Sequence, residues 1–483
     1  MVFNSIPFVL FFTAFFLLYW LVVNRNLKAQ NLLLLLGSYF FYAWTDWRLL
    51  SFLIAFSGLN YFLGLKIENA THEKTRRIYL YLGLLQGIGG LLFFKYYNFF
   101  VTSFTEAFHS IGISLSLTTL NLIVPLGISF FTFRTISYLL DIDKGKAEAS
   151  KDWLVFFNYV AFFPSILSGP IDKAKTFIPQ LESKREFNYH NVVDGLRQIL
   201  WGLFKKVVIA NNCAVITNDV FANYQSLPAS SLVIGMFLYT IQIYADFSGY
   251  SDMAIGVARL LGFKITKNFD FPFFAQNIAD FWRRWHISLT SWLTEYVFTP
   301  LSIYFRDYAN YGLILAIVIN FTLIGIWHGA NWTYILFGFL HGVYYIPLIL
   351  KGTMNKKKKL TNTGWKELFN MVKTFTLVML TFVIFRATSV TEAFDFYSHL
   401  GSKSLLQIPV LNGVSLLYFG SILTYILFML VMEWKAKMSE HALEHFGTNQ
   451  PKIVRWLSYC VLIMVIYYFS SAVSNQDFIY LQF

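Results

Sequence analysis

The sequence predicts an all-α, polytopic integral membrane protein with about 10 to 12 membrane-crossing helices, supplemented by re-entrant and interfacial helices. Three observations predict it. Only 13% of the 483 residues are charged while 56% are hydrophobic, against about 25% charged in a soluble globular chain. Apolar runs of spanning length recur from end to end. The excess of 38 Lys and Arg over 26 Asp and Glu is gathered in short clusters between those runs, as the positive-inside rule requires of cytoplasmic loops. A mean hydropathy of +0.53 excludes a soluble enzyme of ordinary make-up. The clustered charge also argues against a nucleic-acid partner, which needs one continuous basic face.

The predicted elements follow the chain in order. Residues 8–23 form a retained first span with the N-terminus outside, because no positive segment precedes them and no small-residue cleavage site follows. Further spans are predicted at 32–44, 49–65, 78–94 and 122–140. Residues 156–168 have basic clusters on both sides, are short, and include Pro164 ahead of Gly169-Pro170; they are predicted as a re-entrant loop. Spans resume at 192–216, 232–261, 313–327, 332–350, 369–385, 414–432 and 456–469. The cytoplasmic clusters are Arg25/Lys28, Lys74/Arg76/Arg77, Lys144/Lys146/Lys151, Lys173 to Arg185, Arg283/Arg284, Lys356 to Lys359, and Lys435 to Arg455. Cys213 and Cys460 have neither disulfide nor metal spacing. One membrane domain is expected over 1–483, with its motif-bearing core at about 121–350 and C-terminal spans at 369–483.

Three stretches carry candidate chemistry. In residues 277–300, helical spacing predicts an amphipathic interfacial helix capped by Asp280. Its apolar stripe holds Trp282, Trp285, His286, Leu289, Leu293 and Tyr296, opposite Arg284, Ser288, Ser291 and Glu295. His286 is the one ionisable group on the stripe, where burial favours its neutral, proton-accepting form; it is either structural or catalytic. In residues 325–342, His328 stands between two apolar runs beside Trp327, Gly329 and Asn331. An ionisable group inside a span is a functional candidate by default, and the competing reading is an imidazole satisfied by a neighbouring helix. His341 suits that second reading. In residues 244–252, Asp246 and Asp252 are costly inside an apolar run unless paired. Ser248 and Asp252 share a face at i, i+4, Tyr250 lies among them, and Gly249 and Gly256 permit close helix packing. No serine elbow, zinc-protease, Walker or dinucleotide motif is present, which leaves proton transfer by histidine as the chemistry the sequence offers.

These stretches together, DFSGYSDMAIGVARLLGF at 246–263, FWRRWHISLTSWL at 281–293 and GIWHGANWTYILFGFLHG at 325–342, with PLGISFFTFRTISYLLDI at 125–142 and FFPSILSGPIDK at 162–173, resemble the membrane-bound O-acyltransferases. The nearer resemblance is to the bacterial branch that holds the alginate O-acetylation and teichoic-acid D-alanyl transfer proteins. It implies a ring of tilted helices around a central tunnel, with a funnel from each face. It maps the family's defining histidine onto His328 and the second onto His286. Asp246, Ser248, Tyr250, Asp252, Trp282, Arg283, Arg284, Trp285, Trp327 and Asn331 are then candidate tunnel or supporting residues.

The implied activity is transfer of an acyl group, acetyl in the first reading, from a cytoplasmic thioester across a bacterial inner membrane to an exported or cell-surface polysaccharide. The donor is acetyl-CoA or an acyl carrier protein, with no bound cofactor and no metal, and an extracytoplasmic acyltransferase is the expected partner. D-alanyl transfer to a teichoic-acid-type polymer, a non-catalytic acyl or lipid transporter, and a scaffold for polysaccharide export are the alternatives. One residue departs from the alginate pattern: Arg134 stands where Gln is usual, either altering the donor path or pairing with Asp141 or Asp143.

Overall fold

The computed structural model describes residues 1–115, 117–356, 364–448, 450–472 and 478–479. Lys357, Lys358 and Lys359 of the predicted tetralysine cluster, and residues 473–477 and 480–483 of the C-terminal region, lie outside the described residues. The chain is an all-α polytopic membrane protein. Among the described residues nine helices are long and apolar enough to cross a bilayer, and Ile6–Val22 is a shorter apolar one. Leu27–Ala43 and Ile128–Asp143 stand where the sequence places two further spans. The chain divides into two compact units, one of residues 1–195 and 257–266, the other of 196–256 and 267–483.

The first unit contains α1 (Ile6–Leu17), α2 (Leu27–Ala43), α3 (Arg48–Glu68), α4 (Glu73–Ser110), α5 (Ile128–Asp143), α6 (Trp153–Ala161) and α7 (Ala174–Glu182). Side-chain oxygens start several of them: Ser5 accepts from the Phe8 N–H, Asn26 from Ala29 and Asp152 from Leu154, satisfying donors that have no partner within the helix. At nine residues, α6 is about 14 Å long by helical rise. It cannot cross a hydrocarbon core of about 30 Å. The chain turns back through residues 162–170, all of them buried, so the predicted re-entrant segment is a short helix and a sealed return.

Arg134 holds that return in place. It lies on α5, 1% exposed. Its Nη1 donates to the Tyr159 carbonyl at 3.1 Å and its Nη2 to the Pro170 carbonyl at 3.0 Å and to the Ser165 hydroxyl, with the Asp172 charge nearby. The predicted pairing with Asp141 or Asp143 is therefore corrected, since Asp143 pairs instead with Arg76 at 3.1 Å. The reason is geometric. A planar guanidinium satisfies several carbonyls at once, and non-helical backbone buried at membrane depth needs such donors.

The second unit contains the inner part of α8 (Tyr189–Ala222) and most of α9 (Ala229–Leu260), then α10 (Ile278–Trp282), α11 (Ile287–Leu293), α12 (Ala309–His328) and α13 (Trp332–Val343). It continues with α14 (Trp365–Arg386), α15 (Val390–Leu400), α16 (Leu416–Lys435) and α17 (Lys452–Ala472). α12 and α13 cross with their backbones almost touching. A Cβ on Gly325 would fall 2.1 Å from the Tyr334 carbonyl oxygen, and one on Gly338 would fall 2.2 Å from that of Phe321. Small residues at such crossings let helices approach where lipid supplies no hydrophobic drive, and this one fixes the C-terminal end of α12, His328.

Replacing Arg134 with Met removes a charged donor from three acceptors and is expected to cost about 3 kcal/mol or more. Arg134→Gln, which keeps one amide donor, should cost less. Thermal unfolding in detergent measures both; an unchanged midpoint for the Met variant would show that the return does not depend on the guanidinium.

Candidate active site

The segment predicted as one amphipathic helix is broken. α10 ends at Trp282 and α11 begins at Ile287, with His286 between them at φ 47°. A left-handed conformation at a residue with a side chain costs about 1–3 kcal/mol and persists only where the surroundings impose it. Asn277, not Asp280, caps α10 by accepting from the Asp280 N–H at 2.9 Å. The Asp280 carboxylate pairs with Arg284 at 3.1 Å and accepts from the Gln276 N–H. The two-faced burial pattern holds except at Ser288: Trp282, Trp285, His286, Leu289, Leu293 and Tyr296 are buried and Arg284, Ser291 and Glu295 are not, but Ser288 is as buried as Trp282. Helical periodicity cannot foresee a neighbour that binds both faces.

That neighbour is the buried loop residue Asn268. Its Oδ1 accepts from the Ser288 N–H at 3.2 Å and the Ser288 hydroxyl at 2.8 Å, and lies 3.2 Å from His286 Nδ1. Its carbonyl accepts from the Ile287 N–H at 2.9 Å, while the Asp270 N–H donates to the Arg284 carbonyl at 2.9 Å. The His286 ring stands edge-on to Phe247 at 4.7 Å and to Trp327 at 5.6 Å. Full burial pushes its pKa from 6.5 down to about 3, so the imidazole is neutral at physiological pH.

His328 stands at the C-terminal end of α12, against the same indole as His286. Its ring stands 5.2 Å from that of Trp327, 5.1 Å from Phe385 and 6.2 Å from Phe337, and only 3% of the residue is exposed. One indole, Trp327, therefore carries both His286 and His328. His341 has a different place. It accepts from Trp282 Nε1 at Nδ1 and faces the Thr381 hydroxyl at Nε2, both at 3.1 Å, and so joins three segments in the helix-contact role the sequence suggested.

A buried charge network flanks the histidines. Within α8, residues Phe204–Ala210 form a π-helical turn, a widening frequent at functional sites, and it delivers two successive lysines to α9. Lys205 Nζ lies 2.6 Å from Asp252 and 2.9 Å from the Ser248 hydroxyl, and Lys206 Nζ lies 2.6 Å from Asp246. Gln198 donates to Asp252 at 2.9 Å, and the Tyr244 hydroxyl to Glu433 at 2.8 Å. Close approach is possible because Gly202 faces Gly249, where a Cβ would meet the opposite carbonyl at 2.5 Å. Trp201, Lys205, Ser251, Asp252, Asn268 and His441 line a narrow cleft of about 10 Å³, room for about one water molecule, between this network and Asn268.

The remaining predicted residues are spread around these two centres. Ser248 and Asp252 share Lys205. Asp246 also accepts from the Ile479 N–H at 2.8 Å, and Tyr250 stacks on Phe478 at 4.6 Å. Trp285 packs among Phe269, Phe281 and Phe382. Arg284 ties Asp270 to Asp280, and Arg283 donates to the carbonyls of Met354 and Lys356. Asn331 caps α13 and donates to the Thr388 carbonyl at 2.8 Å. Sequence reasoning missed Lys205, Lys206, Gln198, Glu433 and Asn268. Two adjacent lysines inside an otherwise apolar run were the one local signal available.

Residues 128–391 match the sequence profile of MBOAT, the membrane-bound O-acyltransferase family. The chain is 37% identical to the protein of Pseudomonas aeruginosa named probable alginate O-acetylase AlgI, over 86% of this chain and 78% of that one. The chain belongs to the membrane-bound O-acyltransferase family. Its likeness to the peptidoglycan O-acetyltransferase of Helicobacter pylori is 32% over 95% of this chain and 92% of the relative. To the teichoic acid D-alanyltransferase of Bacillus subtilis it is 31% over 55% and 69%. Both histidines and both lysines lie within the stretch matched to the acyltransferase family, and Glu433 lies beyond it. With nine spanning helices among its described residues and bacterial relatives, this acyltransferase family member is a multi-pass protein of the bacterial inner membrane.

Asp252→Asn or Lys205→Met alone leaves an uncompensated buried charge and should destabilise by about 3–5 kcal/mol, whereas the double variant should recover much of that loss; equal and additive losses in a double-mutant cycle would show that the two charges are not coupled. A second expectation concerns acid. Unfolded His286 takes a proton near its ordinary 6.5, but folded His286 does so only near 3. The unfolded state therefore binds more protons in that window, and stability falls as pH drops from about 6.5 towards 3. Unfolding midpoints across this range should fall less steeply for His286→Gln than for wild type; parallel slopes would show that His286 does not contribute.

Proposed function

We propose that the protein transfers an acyl group, acetyl in the first instance, from a cytoplasmic thioester donor across the membrane to an acceptor hydroxyl, for O-acylation of an exported or cell-surface polysaccharide. The observation that carries this reading is the pair of histidines, His286 and His328, both buried and set against one indole. In the proposed reaction His328 takes the proton of the acceptor hydroxyl as its oxygen bonds to the thioester carbonyl carbon. The carbon–sulfur bond then breaks, and the proton passes to the departing thiolate. An imidazole among aromatic side chains suits that exchange, because the charge it acquires lasts only while the tetrahedral intermediate does.

The donor is acetyl-CoA or an acyl carrier protein, since both present a pantetheine thioester. The cleft beside Lys205 and Asp252 holds about one water and is too small for such an arm, so its lining bears only on the side from which the donor comes. It is lined by Lys267, Glu440 and His441, and Lys267 is bonded both to Asp270 and to the Ser439 carbonyl, next to the Lys435 to Arg455 cluster that the charge rule assigns to the cytoplasm. A basic approach of this kind raises the local concentration of an acidic donor. Two relatives matched over most of their length are named for O-acetylation of alginate and of peptidoglycan, and this favours acetyl as the group and a glycan hydroxyl as the acceptor. An extracytoplasmic acyltransferase is the proposed partner for final transfer to the polymer.

In cells lacking the protein, base-released acetate from surface polysaccharide should return with wild type and fall about 100-fold or more with His328→Ala or His328→Gln at matched membrane abundance. Release of D-alanine in place of acetate would move the activity to teichoic-acid-type acceptors. Partial function of the Gln variant would favour transport, and full acylation by the Ala variant would remove His328 from the chemistry.

A further inference from the structure

We infer that Asn268 is a positioning residue that fixes the tautomer of His286, holding the ring proton on Nδ1 and leaving Nε2 as the ring's acceptor atom. The tautomer rests on geometry alone; its use in catalysis rests on the acyl-transfer reading.

The deduction begins from a backbone group that has no choice. The Ser288 N–H can only donate, and the side-chain atom of Asn268 that it meets at 3.2 Å must therefore be the amide oxygen. A flipped amide would set its NH2 against that N–H and leave two buried donors facing each other. The opposite end of the amide is consistent with this, since Nδ2 points to the Ser251 hydroxyl at 3.4 Å. With the oxygen fixed, His286 Nδ1 at 3.2 Å faces an acceptor and must carry the proton. In a neutral imidazole the other nitrogen then holds the lone pair. His341 has the reverse arrangement, its Nδ1 accepting from Trp282, so the two buried histidines are set to opposite tautomers by their neighbours.

The constraint is strict because Asn268 cannot move aside. It is fully buried, and its own carbonyl is bonded to the Ile287 N–H next to the left-handed His286. Of the charged groups on the elements around His286, Lys205 pairs with Asp252, Lys206 with Asp246, Lys267 with Asp270, and Arg284 with Asp270 and Asp280, while Arg283 donates to the Met354 and Lys356 carbonyls. His328 faces the same indole from α12. A neutral amide oxygen opposite Nδ1–H orients the ring without stabilising an imidazolium as a carboxylate would. His286 therefore meets donor or acceptor groups as a neutral acceptor at Nε2.

Two measurements test this. In detergent-solubilised wild type with isotope-labelled imidazole nitrogens, the His286 signals, assigned by their loss in His286→Gln, should show a protonated Nδ1 and a bare Nε2; a protonated Nε2 overturns the inference whatever the protein's activity. In membrane vesicles given radiolabelled acetyl-CoA, with an acetylated carrier protein in parallel, Asn268→Asp keeps the acceptor but adds a charge. It should move the acid limb of the pH–rate profile upward by about 1 unit or more, with activity recovering at higher pH. Asn268→Leu should lose about 10-fold or more at every pH, with the limb unmoved. Equal losses in the two variants with one common pH dependence would reduce Asn268 to a structural residue. Failure of wild type to transfer acetyl from either donor would count against the acyl-transfer reading and leave the tautomer result standing.

Discussion

The pairing of Lys205 and Lys206 with carboxylates on α9 is the interaction on which the arrangement of the second unit depends. Neither lysine is more than a few per cent exposed, and an isolated ammonium in such surroundings is far more costly than any single packing contact can offset. The facing helix must therefore bring Asp246 and Asp252 to them. That requirement is met by two local features: the π-helical turn, which aims successive side chains at one neighbour, and Gly202 against Gly249, which removes the Cβ atoms that would hold the helices apart. Once α8 and α9 are locked, the loop that follows α9 is fixed too. Asn268 then reaches Ser251 on one side and His286 on the other.

The surroundings of the two histidines are built on the opposite principle. Around His286 and His328 the walls are aromatic, with Phe247, Trp327, Phe337 and Phe385 presenting ring edges and faces, and charge is kept one layer away. Low polarity next to His286 favours its neutral form and strengthens each remaining hydrogen bond. Positioning is thus left to a few polar contacts, of which Asn268 supplies the most. An acyltransferase that works within a membrane gains from this division, because water that reached the thioester would hydrolyse it.

The first unit meets the same constraint with different residues. Its re-entrant return exposes carbonyls where no water can bind them, and the Arg134 guanidinium takes up two of these as well as a hydroxyl. Arg185 stands at its own corner, bonded to Gln30 and Asn31 and lying 4.9 Å over the Phe263 ring. At the return the arginine substitutes for the ladder of backbone bonds that a helix would have supplied, as backbone buried in a bilayer requires, whereas Arg185 ties side chains together.

Much of this was legible in the amino-acid sequence. Hydropathy is a property of consecutive residues, so the spans, the re-entrant segment and the basic clusters could be read directly, and His328 stood out because an ionisable group between two apolar runs is conspicuous. The glycine at 249 was likewise legible as a close-packing position. The tertiary structure alone decided which polar groups meet. Lys205 and Lys206 lie within a predicted span, and their partners Asp252 and Asp246 are forty or more positions away in the sequence. Residues 277–300 carry an unbroken helical period, yet the chain breaks at His286, because the hydrogen bonds offered by Asn268 replace those of one helical turn. Periodicity records only what a segment can do alone, whereas the partner of a buried donor is chosen by the fold.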